Sequence, residues 1–261
     1  MVFGNKPTDG GYLILDQREK DSILNEYPQA ERIIKKYHGA DSFLYGDIRY
    51  CLWITEKDSS FAYSIPPIKS RLDKVRDFRL KSKAESTVLY ADKPYLFKQR
   101  AHKDTESIIV PRVTSERRQY VPVGLLNKDT IISDAAQAIY DANIFIIGIL
   151  CSHIHVVWLS AIGGKLETRY RYSSLVYNSF PFPKIPEEKK HEIEAAAEEV
   201  LITREYYPEK LWLNYMTQTR CPRTCARPML NSMTSWKVVI LAIPSPQTKP
   251  VWNVCLNYMR K

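Results

Sequence analysis

The sequence predicts an α+β fold, in which a mixed or antiparallel sheet with hairpins has flanking helices and leads into a C-terminal helix. Strands are predicted from short apolar runs at Arg49–Ile54, Ser107–Val113 and Tyr120–Leu125, the last two joined by a basic turn. The final helix, Glu187–Tyr206, is predicted from an apolar stripe at helical spacing, with Pro186 before it. The chain has no internal repeat.

The other elements are predicted from apolar periodicity and from proline and glycine breaks. Two short helices are expected on either side of Pro28, and Gly39 is expected to end the second. The segment ANIFIIGILCS is apolar on all sides, which predicts a buried helix. In chain order, these elements are helices Arg18–Glu26 and Gln29–Tyr37, a basic helix Pro67–Ser82, the buried helix Ala142–Ser152, and a strand Ile154–Ser160 that hairpins through Gly163-Gly164 into Lys165–Tyr172.

Composition sets only broad limits on function. Apolar residues make up 44% of the 261 residues, enough for a sizeable core. No run of about 18 apolar residues occurs, so neither a transmembrane helix nor a membrane partner is expected. The N-terminus lacks the basic and then apolar segments of a secretion signal, so we expect a cytoplasmic location. The five cysteines have no framework spacing, which fits reduced thiols.

The net charge of +9 is concentrated at the end of the chain. Residues 211–261 hold 7 of the 38 Lys and Arg residues and none of the 29 Asp and Glu residues, which leaves residues 1–210 with 31 basic and 29 acidic side chains. DNA binding by residues 1–210 would therefore depend on local basic patches. One such patch is Lys69–Lys83, where a solvated helix face and a phosphate-contacting face are both open interpretations.

The most informative segment is Gly163–Pro183, which reads GGKLETRYRYSSLVYNSFPFP. It spaces Glu167, Arg169 and Arg171 two residues apart, so strand alternation predicts that these side chains share one face. Arginine can donate two hydrogen bonds to guanine, and glutamate can accept one from the cytosine amino group. The alternative is a surface ladder of ion pairs, since most charged strand faces are simply solvated.

Common catalytic motifs are absent from the sequence. It has no glycine-rich dinucleotide or phosphate loop, no nucleophile elbow and no HExxH, so no catalytic residue is predicted. His153 and His155 lack further ligands nearby and are interpreted as core or second-layer histidines, so no metal site is predicted. The loop that an amino-methyltransferase needs, (Asn/Asp/Ser)-Pro-Pro-(Tyr/Phe), is not matched, and no strand leads into a glycine-rich turn for S-adenosylmethionine.

Several long stretches of the chain do resemble one family. They are similar to the C-terminal part of MmeI-like (type IIL restriction–modification) DNA methyltransferases, and related phage-defence methyltransferases share this region. The stretches are GNKPTDGGYLIL, IIKKYHGADSFLYGDIRYCLW, VPRVTSERRQYVPVGLL, GILCSHIHVVW and LETRYRYSSLVYNSFPFP. The resemblance runs from about Val2 to Lys210. It implies a target recognition domain of an adenine-N6 methyltransferase, with double-stranded DNA as partner. It also implies that this chain binds no cofactor, because S-adenosylmethionine belongs to a catalytic domain outside it.

Three accounts of the chain's activity follow from the resemblance. The chain is expected to be a non-catalytic recognition module that works with a methyltransferase catalytic domain or subunit. It could instead be the specificity half of a split methyltransferase, or a non-functional gene fragment. The expected domains are a linker at residues 1–24, the target recognition domain at 25–183, the start of a C-terminal helical region at 184–210, and a non-native tail at 211–261.

The resemblance also assigns roles to individual residues. Base-reading positions are expected at two places, Glu167, Arg169 and Arg171 on the strand and Asp134 and Ala135 before the apolar helix. Asp134 could accept from an amine, whereas Ala135 could contribute only by shape. Weaker candidates for contacts to the DNA backbone are the turn residues Arg112, Arg117 and Arg118, and, from the basic patch described above, Lys69 and Arg76.

The last 51 residues, Leu211–Lys261, do not fit the family, and a frameshift explains the mismatch. With codons chosen to permit it, one adenine inserted after the Lys210 codon restores TLAELYDPNTMPEDL and an acidic, helix-forming string to the end. We therefore expect this tail to be out of frame and poorly packed. Sequencing across the Lys210 codon tests this, and codons incompatible with the restored frame would refute it.

Overall fold

The computed structural model describes residues 1–115, 118, 120–182 and 185–205, which form two compact units. The N-terminal unit contains residues 2–105 and 127–136, and the C-terminal unit contains Met1, residues 106–126 and the described residues from 137 onward. Each unit combines helices with a sheet, so the predicted α+β class is confirmed. The predicted tail at 211–261 and the side chain of Arg117 lie outside the described residues.

The helices and strands are short. The helices are α1 (Gln17–Glu26), α2 (Ala40–Tyr45), α3 (Ser59–Tyr63), α4 (Pro66–Leu80), α5 (Glu85–Val88), α6 (Ile144–Leu150), α7 (His153–Ile162), α8 (Ser174–Asn178) and α9 (Glu187–Glu205). The strands are β1 (Val2–Phe3), β2 (Ile14–Leu15), β3 (Ile34–His38), β4 (Arg49–Leu52), β5 (Ser107–Pro111), β6 (Val113–Thr114), β7 (Gly124–Leu126), β8 (Thr130–Ile132), β9 (Ala136–Tyr140), β10 (Gly164–Leu166) and β11 (Arg169–Arg171).

The N-terminal unit is built on a mixed sheet with the strand order β2-β4-β3-β8. β4 is antiparallel to both β2 and β3, whereas β3 is parallel to β8. Apolar side chains from the sheet and from α1 and α4, including Leu52, Leu72 and Ile131, form one buried core. The β3–β8 pairing therefore makes residues 127–136 part of a unit whose other residues end at 105.

The helix predicted at Gln29–Tyr37 is wrong in its second half. Pro28–Ile33 is a 3₁₀ helix, after which the chain extends into β3. Ile34 and Tyr37 are buried, and β3 has hydrogen-bonded strands on both sides. This pairing with β4 and β8 comes from distant residues, so it overrides the local helical spacing of the apolar side chains.

Residues expected to form a linker contribute to the core of this unit. Leu13 and Leu15 are fully buried, and Ile23 on α1 packs in the same cluster. A capping box begins α1, because the Asp16 side chain accepts from the Glu19 amide at 2.7 Å and the Glu19 carboxylate accepts from the Asp16 amide at 3.0 Å. The segment up to residue 24 is thus an integral part of the N-terminal unit.

A buried arginine joins three segments of the N-terminal unit. Arg79, on α4, is 0% exposed and donates to five backbone carbonyl oxygens at 2.7–3.0 Å. These acceptors belong to Pro7, Thr8, Tyr90, Lys93 and Leu96. Burial lowers the pKa of Arg79, and the nearby Asp9 carboxylate opposes that shift. The guanidinium therefore replaces sheet or helix hydrogen bonds in a region of irregular backbone.

The C-terminal unit contains two small sheets packed with α6, α7, α8 and α9. In one sheet β9, β5 and β7 are neighbours in that order, with β5 antiparallel to β7, and in the other the order is β10-β11-β6. The core includes Ile108, Leu150, Trp158, Phe180 and Ile193. The buried helix predicted at Ala142–Ser152 is confirmed as α6, and the helix predicted from Glu187 is confirmed as α9.

The strand predicted at Ile154–Ser160 is wrong, because these residues lie within helix α7. The Ser152 hydroxyl accepts from the His155 amide at 3.3 Å and begins the helix. Ile154, Val157 and Leu159 are all buried. The run is therefore almost continuously apolar, and such a run does not show from its sequence whether it forms a helix or a strand. The predicted strand Ser107–Val113 divides into β5 and the start of β6. Of the predicted strand Tyr120–Leu125, only Gly124 and Leu125 lie in a strand, β7.

The described residues contain no single helix that is both long and apolar enough to cross a membrane. Ile144–Leu150 and Ile154–Ile162 reach that length and composition only as a pair, with a 63° bend between them. Much of this pair is buried in the core of the C-terminal unit.

Candidate nucleic-acid interface

The charged segment of the C-terminal unit forms a hairpin of β10 and β11. Leu166 pairs with Arg169, Lys165 with Tyr170, and Gly164 with Arg171. The turn between the strands lies at residues 167 and 168. The turn predicted at Gly163-Gly164 is therefore wrong, and so is the placement of Glu167 on the strand. Glu167 has a φ of 56°, a left-handed conformation that is uncommon for a residue with a side chain.

The two faces of the hairpin have different environments. Arg169 and Arg171 are exposed and share one face, as alternation along a strand requires. Tyr170, on the opposite face, is half-buried and packs against the core, and Lys165 Nζ lies 5.9 Å from the centre of its ring. Tyr170 and Arg171 also pair with β6, opposite Thr114 and Val113. The hairpin is thus one edge of a three-stranded sheet that directs both arginines away from the core.

The next residue after the strand, Tyr172, anchors it in the core. Its backbone N–H donates to the Arg112 carbonyl at 2.7 Å, and its hydroxyl lies 2.6 Å from His155 Nε2. Both side chains are buried, and Phe180 packs against the His155 ring with centroids 4.7 Å apart. This pair fixes the position of the strand relative to α7. His155 is therefore a core histidine, in agreement with its interpretation from the sequence.

The burial of His155 makes a pH dependence of stability predictable. Burial lowers the pKa of His155 to about 3, so the folded chain holds the imidazole neutral. Below the ordinary histidine pKa of about 6.5 the unfolded chain binds a proton at His155, whereas the folded chain does not. The free energy of unfolding is therefore unaffected by His155 above pH ~6.5 and decreases as the pH falls below that value. We expect a loss of about 1.4 kcal/mol per pH unit from this residue.

Chemical denaturation between about pH 7 and pH 4.5 measures this contribution. A His155→Gln variant keeps a hydrogen-bonding side chain without a titrating ring, so its stability should depend less on pH. The control is His191→Gln, because His191 is exposed on α9. Equal pH slopes for His155→Gln and the unchanged chain would contradict the prediction.

The other candidate base-reading residues, Asp134 and Ala135, lie in the N-terminal unit. They form the turn between β8 and β9, where the Asp134 amide donates to the Asn5 carbonyl at 3.1 Å. Lys6 Nζ is 3.7 Å from Asp134 Oδ2, so the carboxylate already has a cationic neighbour. Asn5 holds this segment, since its buried amide donates to the Ile132 carbonyl at 2.9 Å.

Ala135 is exposed at the edge of a cleft of about 140 Å³. The cleft is lined by side chains of both signs, among them Asp47 and Arg49, which form an ion pair at 3.0 Å. Gly39 closes one side, where a Cβ atom would lie 2.8 Å from Ser133 Oγ. The small side chain of Ala135 therefore leaves open space beside a polar cleft.

The basic candidates differ in their surroundings. Lys69 and Arg76 are exposed on α4, and Arg112 is half-buried. Arg118 is only 7% exposed, and its guanidinium donates to Thr114 Oγ1 at 3.2 Å. In this conformation the Arg118 side chain supports the strand β6, and a contact from Arg118 to phosphate stays a prediction. Arg117 lies outside the described residues.

Two arginines of the basic helix α4 have structural roles that charge counting could not distinguish. Arg71 pairs with Glu19 and donates to the Tyr12 and Ile14 carbonyls at 3.0 and 3.3 Å, which attaches α4 to the preceding segment. Arg79 is the buried residue described above. The sequence does contain a signal for these structural roles. Helical spacing places Arg71 and Arg79 on the same side of α4 as the apolar residues Leu72 and Val75, which face the core.

The fold and the hairpin together define an α+β domain that presents two arginines on an anchored strand. Residues 1–184 match the family described as MmeI, target recognition domain. Over 206 residues the chain is 41% identical to DNA methyltransferase A of Bacillus subtilis (strain 168). This match covers 78% of this chain and 23% of that protein. The chain therefore belongs to the MmeI target recognition domain family.

A solved structure of the type IIL restriction–modification enzyme MmeI in complex with DNA is also similar. It matches with a TM-score of 0.88 and 31% sequence identity, and the match covers all of this chain and 35% of that one. The chain thus spans about a quarter to a third of the length of these relatives.

Proposed function

We propose that this chain is the sequence-specific DNA recognition module of an adenine-N6 DNA methyltransferase and has no catalytic activity by itself. Its family membership supports a recognition role, and a structural relative with a TM-score of 0.88 was solved in complex with DNA. The Bacillus subtilis relative is a DNA methyltransferase, which supports methylation as the reaction of the parent protein.

The observation that carries the proposal is the pair of exposed arginines on the hairpin. Arg169 and Arg171 lie two residues apart on the outward face, and Tyr170 and Tyr172 fix the opposite face against the core. The major groove of B-DNA is wide enough for a two-stranded ribbon, and an arginine there can donate two hydrogen bonds to guanine O6 and N7. An anchored strand lowers the entropy that is lost when such contacts form.

The remaining candidates take supporting roles in this proposal. Glu167, in the exposed turn, would accept from a cytosine amino group, and Asp134 and Ala135 would contribute at another base pair. Lys69, Arg76 and Arg112 would position the duplex through phosphate contacts. S-adenosylmethionine would bind to the catalytic partner and not to this chain.

Selection from a randomised double-stranded DNA pool with the 261-residue chain tests the recognition role. We expect one sequence to be enriched, with an affinity that falls steeply as salt rises because phosphate contacts release counterions. Enrichment of no sequence, either by the chain alone or with a methyltransferase catalytic subunit supplied, would refute sequence-specific recognition.

Methyl transfer to the enriched duplex tests the non-catalytic role. The chain alone should transfer no methyl group from S-adenosylmethionine, and N6-methyladenine formed only after a catalytic subunit is added would identify the specificity half of a split enzyme. Methylation by the chain alone would contradict the proposal.

A further inference from the structure

Leu166 lies on the same hairpin face as the two arginines. Its register partner is Arg169, and side chains that are directly opposite in an antiparallel pair project from the same face. Leu166 is 52% exposed, so this branched apolar side chain stands in solvent beside a guanidinium. The outward face of the hairpin therefore offers one apolar group beside Arg169.

The neighbouring position on this face is open. Gly164 pairs with Arg171, and apart from the glycine and its two chain neighbours no atom of the described residues lies within 4 Å of the place where its Cβ would be. A surface that approaches the hairpin would thus meet Leu166 and the arginines without interference from a side chain at 164. The outward face thus combines the apolar side chain of Leu166, the guanidinium groups of Arg169 and Arg171, and open space at Gly164.

The base edges of DNA restrict what an apolar side chain can recognise. In the major groove the hydrogen-bonding groups of all four base pairs are polar, and the C5 methyl of thymine is the apolar feature. An arginine that holds guanine by two hydrogen bonds would bring its cross-strand neighbour to an adjacent base step. Burying a methyl group against leucine is favourable, whereas burying a polar base edge there is not.

From this face, and resting on the proposed function, we infer that Leu166 is a specificity-determining residue that contacts the C5 methyl of a thymine next to the base pair read by Arg169. The contact distinguishes thymine from cytosine through the methyl group, independently of hydrogen bonding. It also extends to 5-methylcytosine, which carries the same methyl group at the same place in the groove.

Uracil substitution isolates the methyl group, because uracil keeps every hydrogen-bonding group of thymine. The probe is the duplex enriched by the full chain, with each thymine replaced by deoxyuridine one at a time. For the unchanged chain, uracil at one position should weaken binding about fourfold, the effect expected for one buried methyl group. Leu166→Ala and Leu166→Gln should bind the thymine and uracil duplexes equally, and the glutamine variant keeps a side chain long enough to fill the position of leucine.

Two controls separate this inference from a general loss of binding. Leu175→Ala removes another exposed leucine, 73% exposed on α8, and should leave the thymine preference intact. Arg169→Ala should lose the guanine preference at its own base pair while both Leu166 variants keep it.

The outcomes distinguish this inference from the proposed function. An enriched site with no thymine, no uracil effect at any position, or a uracil effect that persists in both Leu166 variants would overturn the inference and leave DNA recognition standing. Failure to enrich any sequence would overturn the proposed function and the role of Leu166 with it.

Discussion

Replacing Arg169 with alanine is expected to abolish the preference for guanine at one base pair of the recognised site. The side chain is exposed on an anchored strand, where it can make a bidentate contact, and each such contact contributes about 1–3 kcal/mol of discrimination. Binding to the preferred duplex should weaken by that amount, whereas binding to duplexes that already carry another base at this position should change little. Competition binding over the four base pairs at each position measures the effect.

Lys165→Ala is the matched control for Arg169→Ala. It removes one positive charge from the same hairpin, but Lys165 pairs with Tyr170, so its side chain projects from the opposite face. We expect the base preferences to be unchanged and the affinity to fall, at most, by a small and uniform amount through the loss of long-range charge. If Arg169→Ala instead weakens all duplexes equally, Arg169 contacts phosphate and does not read a base.

The sequence predicts correctly that Arg169 and Arg171 share one face of a strand, but it does not predict that Glu167 lies in the turn. Alternation at a period of two is a local property, and it places the two arginines correctly wherever the strand begins. The turn was expected at two glycines, yet it forms at Glu167, at a positive φ that glycine would adopt more readily. Gly163 is required for packing instead, because a Cβ there would lie 2.3 Å from the Leu159 carbonyl oxygen.

The wrongly predicted elements share a physical cause, since partners distant in sequence determine them. β3 is a strand because β4 and β8 pair with it, and nothing within residues 29–37 reveals those partners. Helix α7 is apolar on most sides because it lies inside a core, so its sequence has no periodicity that separates a helix from a strand. The α+β class was predictable because elements such as α1, α4 and β4 carry their own caps, prolines and apolar spacing.

The roles of the basic residues also depend on partners that are distant in sequence. A count of Lys and Arg in α4 suggests a continuous positive face, but the structure assigns Arg71 and Arg79 to internal contacts. Lys69 and Arg76 remain exposed on this helix, so they are the members available to a phosphate. Which arginines are structural depends on carbonyl groups from residues 7–14 and 90–96, whose positions are set only by the tertiary fold.

Replacing Arg79 with methionine is expected to destabilise the N-terminal unit by about 2–6 kcal/mol, because a buried acceptor left without its donor costs about 1–3 kcal/mol and two carbonyls lose their donor. Methionine fills similar space but donates no hydrogen bond. The Pro7, Tyr90 and Lys93 carbonyls also accept from backbone amides, so the main cost comes from the Thr8 and Leu96 carbonyls. Arg76→Met is the control, because Arg76 is exposed on the same helix and its loss should change stability by less than about 0.5 kcal/mol. Chemical denaturation followed by circular dichroism measures both.

Arg79→Met should also loosen the backbone at the candidate residue Asp134, because both positions contact the N-terminal segment. Arg79 holds the Pro7 and Thr8 carbonyls, and the adjacent residues Asn5 and Lys6 contact the Asp134 amide and carboxylate. At a temperature where the variant remains folded, we therefore expect faster amide exchange at Asp134 than in Arg76→Met, because its acceptor on Asn5 is less firmly held. Unchanged exchange at Asp134 together with full stability would show that the five carbonyl contacts of Arg79 do not hold this segment in place.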